Sequence, residues 1–248
     1  MRVQYLIPGP MSKGPLGRGE MERRAALLRS WAFAGTTVDV VDVPEGPSSI
    51  ESVYEEMLAI PETLAGVARA ERDGYDAVII GCFGDPGLDG AREIVTMPVI
   101  GPGQCSMLLA AELGHRFSVI TVMESIVAPI AYQAVKAGVH SKLASVRSAE
   151  IPVLELMKDR GATMRRMLEV GRDVVKRDRA DAIVLGCMTM SFLNVADELA
   201  AELGVPVINA GKAALKAVES LVSQGLAHSK RAYPIPPKLR TTPQEVVA

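Results

Sequence analysis

Aromatic side chains are scarce: four Phe, five Tyr and one Trp make up 4% of the 248 residues. Proteins that bind single-stranded nucleic acid stack bases on such rings, so that class is disfavoured. A large excess of one charge is missing too. The formal net charge is −2, which creates no global field for nucleic acid or an anionic membrane surface. Long apolar runs are absent, none approaching the roughly 18–20 residues that span a bilayer. The apolar start, Val3 to Ile7, is cut off by Pro8, too early for the core of a secretory signal. A cytoplasmic protein with no membrane and no nucleic-acid partner is expected.

Metal-ligand patterns are also wanting. The three cysteines (Cys82, Cys105, Cys187) and three histidines (His115, His140, His228) are scattered, with no Cys-x-x-Cys and no zinc spacing. No metal site is expected, and free thiols are the default in a reducing compartment. There is no Walker loop and no Gly-x-Ser-x-Gly elbow. Gly101-Pro102-Gly103 is a fragment of a dinucleotide turn without its third glycine. Lys212, at a helix start, reads as a solvated residue rather than a Schiff-base lysine.

What remains is an apolar chain, 48% hydrophobic, with strand-like runs alternating with helical patterns. The strands are read at Val3 to Ile7, Thr37 to Val43, Ala77 to Ile80, Met97 to Ile100, Phe117 to Val122, Ala144 to Val146, Ala182 to Leu185 and Val205 to Ile208. Near-continuous apolar strands between helices indicate parallel sheets covered on both faces. Asp85-Pro86 is predicted to cap the helix from Leu88, with proline at its first position. A single helix is predicted over 192–203, stopped by Gly204, and another over 153–178. Beyond Ser229 the prolines at 234, 236, 237 and 243 predict an extended tail lying on the surface or on a neighbouring subunit.

One pattern dominates. Asp76-Ala77-Val78-Ile79-Ile80-Gly81-Cys82 is nearly repeated as Asp181-Ala182-Ile183-Val184-Leu185-Gly186-Cys187, and Pro98-Val99-Ile100 returns as Pro206-Val207-Ile208. Two halves, each a small doubly wound sheet of about four strands, account for the repeat. Ligands of parallel α/β sheets bind at the carboxyl ends of strands, where both Gly-Cys pairs fall. Each cysteine is predicted to precede a helix whose amides and dipole lower its pKa toward neutrality. A lone buried cysteine is usually an inert small hydrophobe; duplication of the pair at a site-forming edge favours chemistry. Cys105 is not duplicated and reads as inert. Phe83-Gly84 supplies backbone that can approach a ligand, and Thr189 and Ser191 supply two hydroxyls, one for capping and one for substrate or thiolate.

The run from Gly81-Cys82-Phe83-Gly84-Asp85 through Gly90-Ala91-Arg92-Glu93 closely resembles the aspartate/glutamate/hydantoin racemase superfamily, nearest its hydantoin and allantoin racemase branch. Similar segments recur at Pro98-Val99-Ile100-Gly101, Phe117 to Thr121, Ile151-Pro152-Val153-Leu154 and Leu185-Gly186-Cys187, so the resemblance runs from Val3 to about Val222. It implies two pseudo-symmetric doubly wound α/β lobes with the active site in the cleft between them. Residues 1–100 with 209–248 would form the first lobe and 101–208 the second. The implied activity is a PLP-independent racemase, needing no cofactor, acting on a small carbon acid such as a 5-substituted hydantoin or allantoin. Cys82 and Cys187 would be the acid/base pair. Gly9, Phe83, Gly84, Thr121, Val122, Met188 and Thr189 are the expected substrate contacts, and a homo-oligomer is expected. The branch's polar turn after the first strand is here Pro8-Gly9-Pro10-Met11, and the segment after the second cysteine is Met188-Thr189-Met190, so a less polar or differently shaped substrate is expected. The alternatives are a cis–trans isomerase or decarboxylase of a small dicarboxylate, or a non-catalytic binding protein. Decarboxylation in that group uses one cysteine, so retention of both argues against it.

Overall fold

The computed structural model describes residues 1–241, without the side chains of the last two; Pro243 and the end of the segment assigned to the first lobe lie outside the described residues. Among the described residues, eight strands form two four-stranded parallel sheets. The first has the order β2-β1-β3-β4, from β1 (Arg2–Ile7), β2 (Thr37–Asp42), β3 (Ala77–Ile80) and β4 (Val99–Ile100). The second has the order β6-β5-β7-β8, from β5 (Phe117–Thr121), β6 (Leu143–Ser148), β7 (Ala182–Leu185) and β8 (Val207–Ile208). These are two α/β lobes of matching topology, as the repeat requires.

The duplicated residues have duplicated structural duties. Asp76 and Asp181 stand just before β3 and β7, and their carboxylates accept the amides of Arg2 and Arg116 at 2.6 and 2.9 Å. Each thereby fixes the start of its strand against the central strand. At the other end, Leu6 lies opposite Ile80 and Ile120 opposite Leu185. The next residues, Gly81 and Gly186, donate to the Leu6 and Ile120 carbonyls at 2.7 and 2.8 Å. Both glycines are required by close approach rather than by φ. A Cβ on Gly81 would stand 2.8 Å from the Leu6 carbonyl oxygen, and one on Gly186 would stand 2.5 Å from Val119 Cγ1.

The inner faces of the sheets share one continuous core, which includes Tyr5 and Ile79 from the first and Val119 and Val184 from the second. Two helices fill it: α4 (Pro102–Leu113) follows β4 and packs on β5 and β7, while α9 (Ala210–Ser223) follows β8 and packs on β3 and β4. They also pack on each other, burying Met107, Ala110, Ala214, Leu215 and Val218. Separate apolar clusters cover the outer faces. One lies under α2 (Val53–Arg72) and α3 (Leu88–Ile94), the others under α6 (Arg160–Lys176) and the segment 188–203. Strands buried on both faces explain the near-continuous apolar runs.

Several local expectations need correction. The helix expected over 192–203 is two helices, α7 (Met188–Phe192) and α8 (Ala196–Leu203), with Asn194 at φ 55° between them. The break is supported from outside: Asn209 Nδ2 donates to the Ser191 carbonyl at 2.8 Å and Arg23 to that of Phe192 at 2.6 Å. Carbonyls released at a helix end are thus satisfied. Gly204, at φ 70°, ends α8 as expected. The helix expected from 153 begins at Arg160, because Asp159 caps it by accepting the Ala162 amide at 2.8 Å. Asp85 does not cap α3, whose N-cap is Gly87 at φ 71°. Its carboxylate instead accepts the amides of Gly103 and Gln104, at 2.9 and 2.7 Å, in the first turn of α4. The Gly101-Pro102-Gly103 turn is the seat for that carboxylate: a Cβ on Gly101 would lie 2.4 Å from the Asp85 carboxyl carbon.

The tail after α9 is tied to the first sheet's edge. The His228 ring N–H donates to the Val99 carbonyl at 2.8 Å, and the Lys230 ammonium caps the end of α3 on the carbonyls of Arg92, Glu93 and Val95. Among the described residues no helix is long and apolar enough to cross a membrane.

Candidate active site

A cavity of about 660 Å³ opens at the carboxyl ends of the strands and draws its walls from both lobes. Cys82 enters it directly after β3 and Gly81, Cys187 directly after β7 and Gly186. Of the other expected contacts, Gly9, Phe83, Gly84, Val122, Met188 and Thr189 line it. Thr121 is fully buried beneath, its hydroxyl donating to the Gly186 carbonyl at 3.2 Å. Cys105 lies on α4, outside the cavity wall, its thiol donating to the Pro102 carbonyl at 3.5 Å.

The chain leaves the two thiols differently. Cys187 is the residue preceding α7. Cys82 leads into an irregular turn, with α3 starting only at Leu88; the expectation that each cysteine heads a helix holds for one of them. The expected fall in pKa is also corrected. Burial pushes Cys82 up, Cys187, Asp85 and Glu56 push it further, and the Gly84 amide pulls against them. Burial pushes Cys187 up too, opposed by the Met190 and Thr189 amides, by Arg24 and by the Thr189 hydroxyl. Removal from water outweighs what the short helix supplies.

Among the cavity residues outside the expected contacts, Arg24, Glu56, Gln133 and Tyr233 bring polar groups from distant elements. Arg24, from α1 (Gly17–Trp31), is 2% exposed. It is held by Glu20 at 2.8 Å and donates through Nη2 to Thr189 Oγ1 at 2.9 Å. Glu56, on α2, is half-buried; burial pushes its carboxyl up while Lys136 pulls it down. Gly84 keeps this corner open, since a Cβ there would lie 3.4 Å from Glu56 Oε2 and 3.9 Å from Cys82 Sγ. Gln133, on α5 (Val127–Lys136), donates to the Phe83 carbonyl at 2.9 Å and to Asp85 Oδ2 at 2.7 Å, bracing the Cys82 turn. Tyr233 brings the tail to the wall and accepts from Arg92 at 3.2 Å. The only legible signal for any of them is Glu20-x-x-Arg23-Arg24, a helical ion-pair spacing, which does not disclose that α1 faces Thr189.

The remaining wall is mostly apolar, with Met11, Leu16, Ile50, Met57, Ile60, Ile126 and Ile130. Two thiols in one cavity with mostly apolar walls suit proton transfer on a small molecule. The Asp/Glu/Hydantoin racemase family model matches residues 21–218. A hydantoin racemase of Pseudomonas sp. (strain NS671) is 37% identical over 211 residues, covering 85% of this chain and 84% of its own. The solved allantoin racemase from Klebsiella pneumoniae is 33% identical with a TM-score of 0.87, covering 98% of this chain and 97% of that one. That from Pseudomonas fluorescens is 30% identical with a TM-score of 0.89 and full coverage of both chains. The chain therefore belongs to the Asp/Glu/hydantoin racemase family and is, by class, an isomerase of the racemase type.

Proposed function

We propose that this protein racemises a small cyclic carbon acid, a 5-substituted hydantoin or allantoin, by a two-cysteine mechanism that uses no cofactor. The observation that carries this reading is the placement of Cys82 and Cys187 at equivalent strand ends in one cavity. One thiolate takes the proton from the stereogenic carbon and becomes a thiol. The opposing thiol gives its proton to the other face and becomes a thiolate. The charge that develops on the ring carbonyl is met by backbone amides of the Phe83-Gly84 turn and the start of α7. Burial makes each thiolate scarcer but more basic, which favours attack on a carbon acid weaker than a free thiol.

The charge of the wall argues against a dicarboxylate substrate. The Glu56 carboxylate has no hydrogen bond or ion pair among the described residues, and Arg24 is already engaged by Glu20. A second anion would be repelled by Glu56, whereas a neutral ring is not. Apolar walls above the thiols fit a hydrocarbon 5-substituent. We also read the protein as a cytoplasmic homo-oligomer whose first lobe comprises 1–100 and 209–248. The packing of α9 on β3 and β4 supports that division. Exposed Tyr54, Leu58, Tyr132 and Val135 beside the cavity mouth support self-association.

The test is hydrogen exchange in D2O with single enantiomers of 5-benzylhydantoin, 5-isopropylhydantoin and allantoin, followed by NMR. Loss of the C5 proton with inversion, abolished in Cys82→Ser and in Cys187→Ser, is expected. Exchange that persists unchanged in both variants overturns the two-cysteine mechanism.

A further inference from the structure

We propose that Arg24, acting through the hydroxyl of Thr189, makes Cys187 the more readily ionised of the two thiols, so that in the free enzyme the pair's thiolate forms at Cys187, the base, and Cys82 stays the acid. The proposal rests on the two-cysteine reading and assigns the pair's starting state, with Arg24 and Thr189 as positioning residues.

Donor direction is decisive. A guanidinium has donors only, so in the 2.9 Å bond between Arg24 Nη2 and Thr189 Oγ1 the threonine must accept. Its own hydrogen is left to point elsewhere. Thr189 is 3% exposed, and no hydrogen bond to a carbonyl is donated by its hydroxyl among the described residues. The sulfur of Cys187, two residues earlier, is the acceptor within its influence. A hydroxyl polarised by a buried cation and aimed at sulfur stabilises a thiolate in preference to a thiol.

Charge counting agrees. Arg23 and Arg24 share a single carboxylate, Glu20, through bonds of 2.7 to 2.8 Å. Two guanidinium groups against one carboxylate leave one positive charge beside the second lobe, and Arg23 also donates to the Phe192 carbonyl in α7. The surroundings of Cys82 carry the opposite sign. Glu56 from α2 lies toward it, and Asp85 from its own turn adds a carboxylate that burial raises to about 7 and that the Gly103 and Gln104 amides and Gln133 engage. The neutral phenol of Tyr5 from β1, with its hydroxyl on the Gly81 carbonyl at 3.4 Å, lies near Arg24 and both sulfurs and favours neither. The nearest cation on α5, Lys136, is paired with Asp89 at 3.3 Å. A lone negative charge therefore rests better at residue 187 than at residue 82. In the first half-reaction Cys187 gains the substrate proton and Cys82 loses its own; return to the resting state moves one proton from Cys187 to Cys82 through solvent.

The test is titration of each thiol alone. Cys82→Ser/Cys105→Ser leaves Cys187, and Cys105→Ser/Cys187→Ser leaves Cys82; thiolate is read by absorbance at about 240 nm and by the pH profile of iodoacetamide alkylation. Cys187 is expected to ionise at least about one unit below Cys82, a tenfold difference in thiolate. In the Cys187-only protein, Thr189→Val should raise that midpoint by about one unit and Thr189→Ser should restore it. The paired change Glu20→Gln/Arg24→Gln, which removes the cation bonded to Thr189 without stranding the Glu20 carboxylate and leaves only the part-exposed Arg23 charged, should raise it likewise. Equal titration of the two thiols, or a Cys187 midpoint unmoved by both Thr189→Val and the paired change, overturns the proposal. These readings need no turnover. Thiols that titrate as proposed while no hydantoin exchanges would sink the racemase mechanism alone; cysteine-dependent exchange with an unmoved midpoint would sink this assignment alone.

Discussion

Cys82 and Cys187 stand at the same register of the same strand in two matching sheets, each behind a glycine bonded to the neighbouring strand. The backbones leading up to them are equivalent and their surroundings are not. The first faces Asp85 and Glu56; the second faces Arg24 and Thr189. Duplication sets where the sulfurs lie, and side chains drawn from α1, from α2 and from the unlike segments after each cysteine distinguish them. The same holds for the two central helices. Asn209 caps α9 from its own sequence by accepting the Lys212 amide at 3.0 Å. The equivalent residue before α4 is Gly101, so that cap is supplied from a distance by Asp85.

The largest expected effect removes either sulfur. Cys82→Ser and Cys187→Ser should each lower racemisation by about 10²- to 10⁴-fold, the usual contribution of a positioned acid or base. Polarimetry with an enantiopure hydantoin measures it; a variant retaining more than a tenth of the wild-type rate would break the equivalence of the pair. Next comes the capping contrast. Asp85→Ala strands three donors, the amides of Gly103 and Gln104 and the side chain of Gln133, and should cost about 3 kcal/mol. Asn209→Ala should cost about 1 kcal/mol. Denaturant unfolding ranks the two, and the reverse order would refute the distant cap.

Gly81→Ala and Gly186→Ala probe the symmetric part. Each added methyl collides with the central strand, and each should destabilise by about 1–3 kcal/mol. Similar losses are expected; a loss at one glycine alone would show that the sheets are not equally constrained there.

The tail gives a smaller, pH-dependent contrast, since only the first sheet carries it. Burial, then Arg92, holds His228 down to about 4. Free histidine titrates near 6.5, so the unfolded or detached segment takes its proton first as pH falls. The tail's stabilisation is therefore full above about 6.5 and is lost progressively as pH drops through about 4. Limited proteolysis at Lys230 and Arg231 should accelerate across that window, and His228→Gln should remove the pH dependence. Least of all, Cys105→Ser should shift stability by no more than about 0.5 kcal/mol and leave exchange intact, separating the unduplicated thiol from the pair.

Much of the fold is legible because it is written in local apolar pattern. Ala77 to Ile80, Leu88 to Ile94 and Ala182 to Leu185 form elements where the pattern places them, since a fully buried strand or short helix leaves an unbroken signature. The cysteine pair is legible because it is repeated. The hidden features depend on distance along the chain. Arg24 and Thr189 are 165 residues apart, and no spacing rule connects them. Asp85 carries a capping residue's chemistry, but its partner helix starts beyond the next strand. The break at Asn194 depends on Arg23 and Asn209 taking up carbonyls from other elements.

Because the backbone at the paired glycines, residues 81 and 186, is pressed against the central strands, each sulfur hangs from a rigid sheet edge rather than from a loop. The edge works as a tool-holder: the residue mounted at 82 or 187 can be exchanged for another nucleophile, acid or inert group, and the replacement inherits the same address above the substrate. New chemistry at this cleft is reached by changing the mounted residue, while the glycine behind it is the part that must stay.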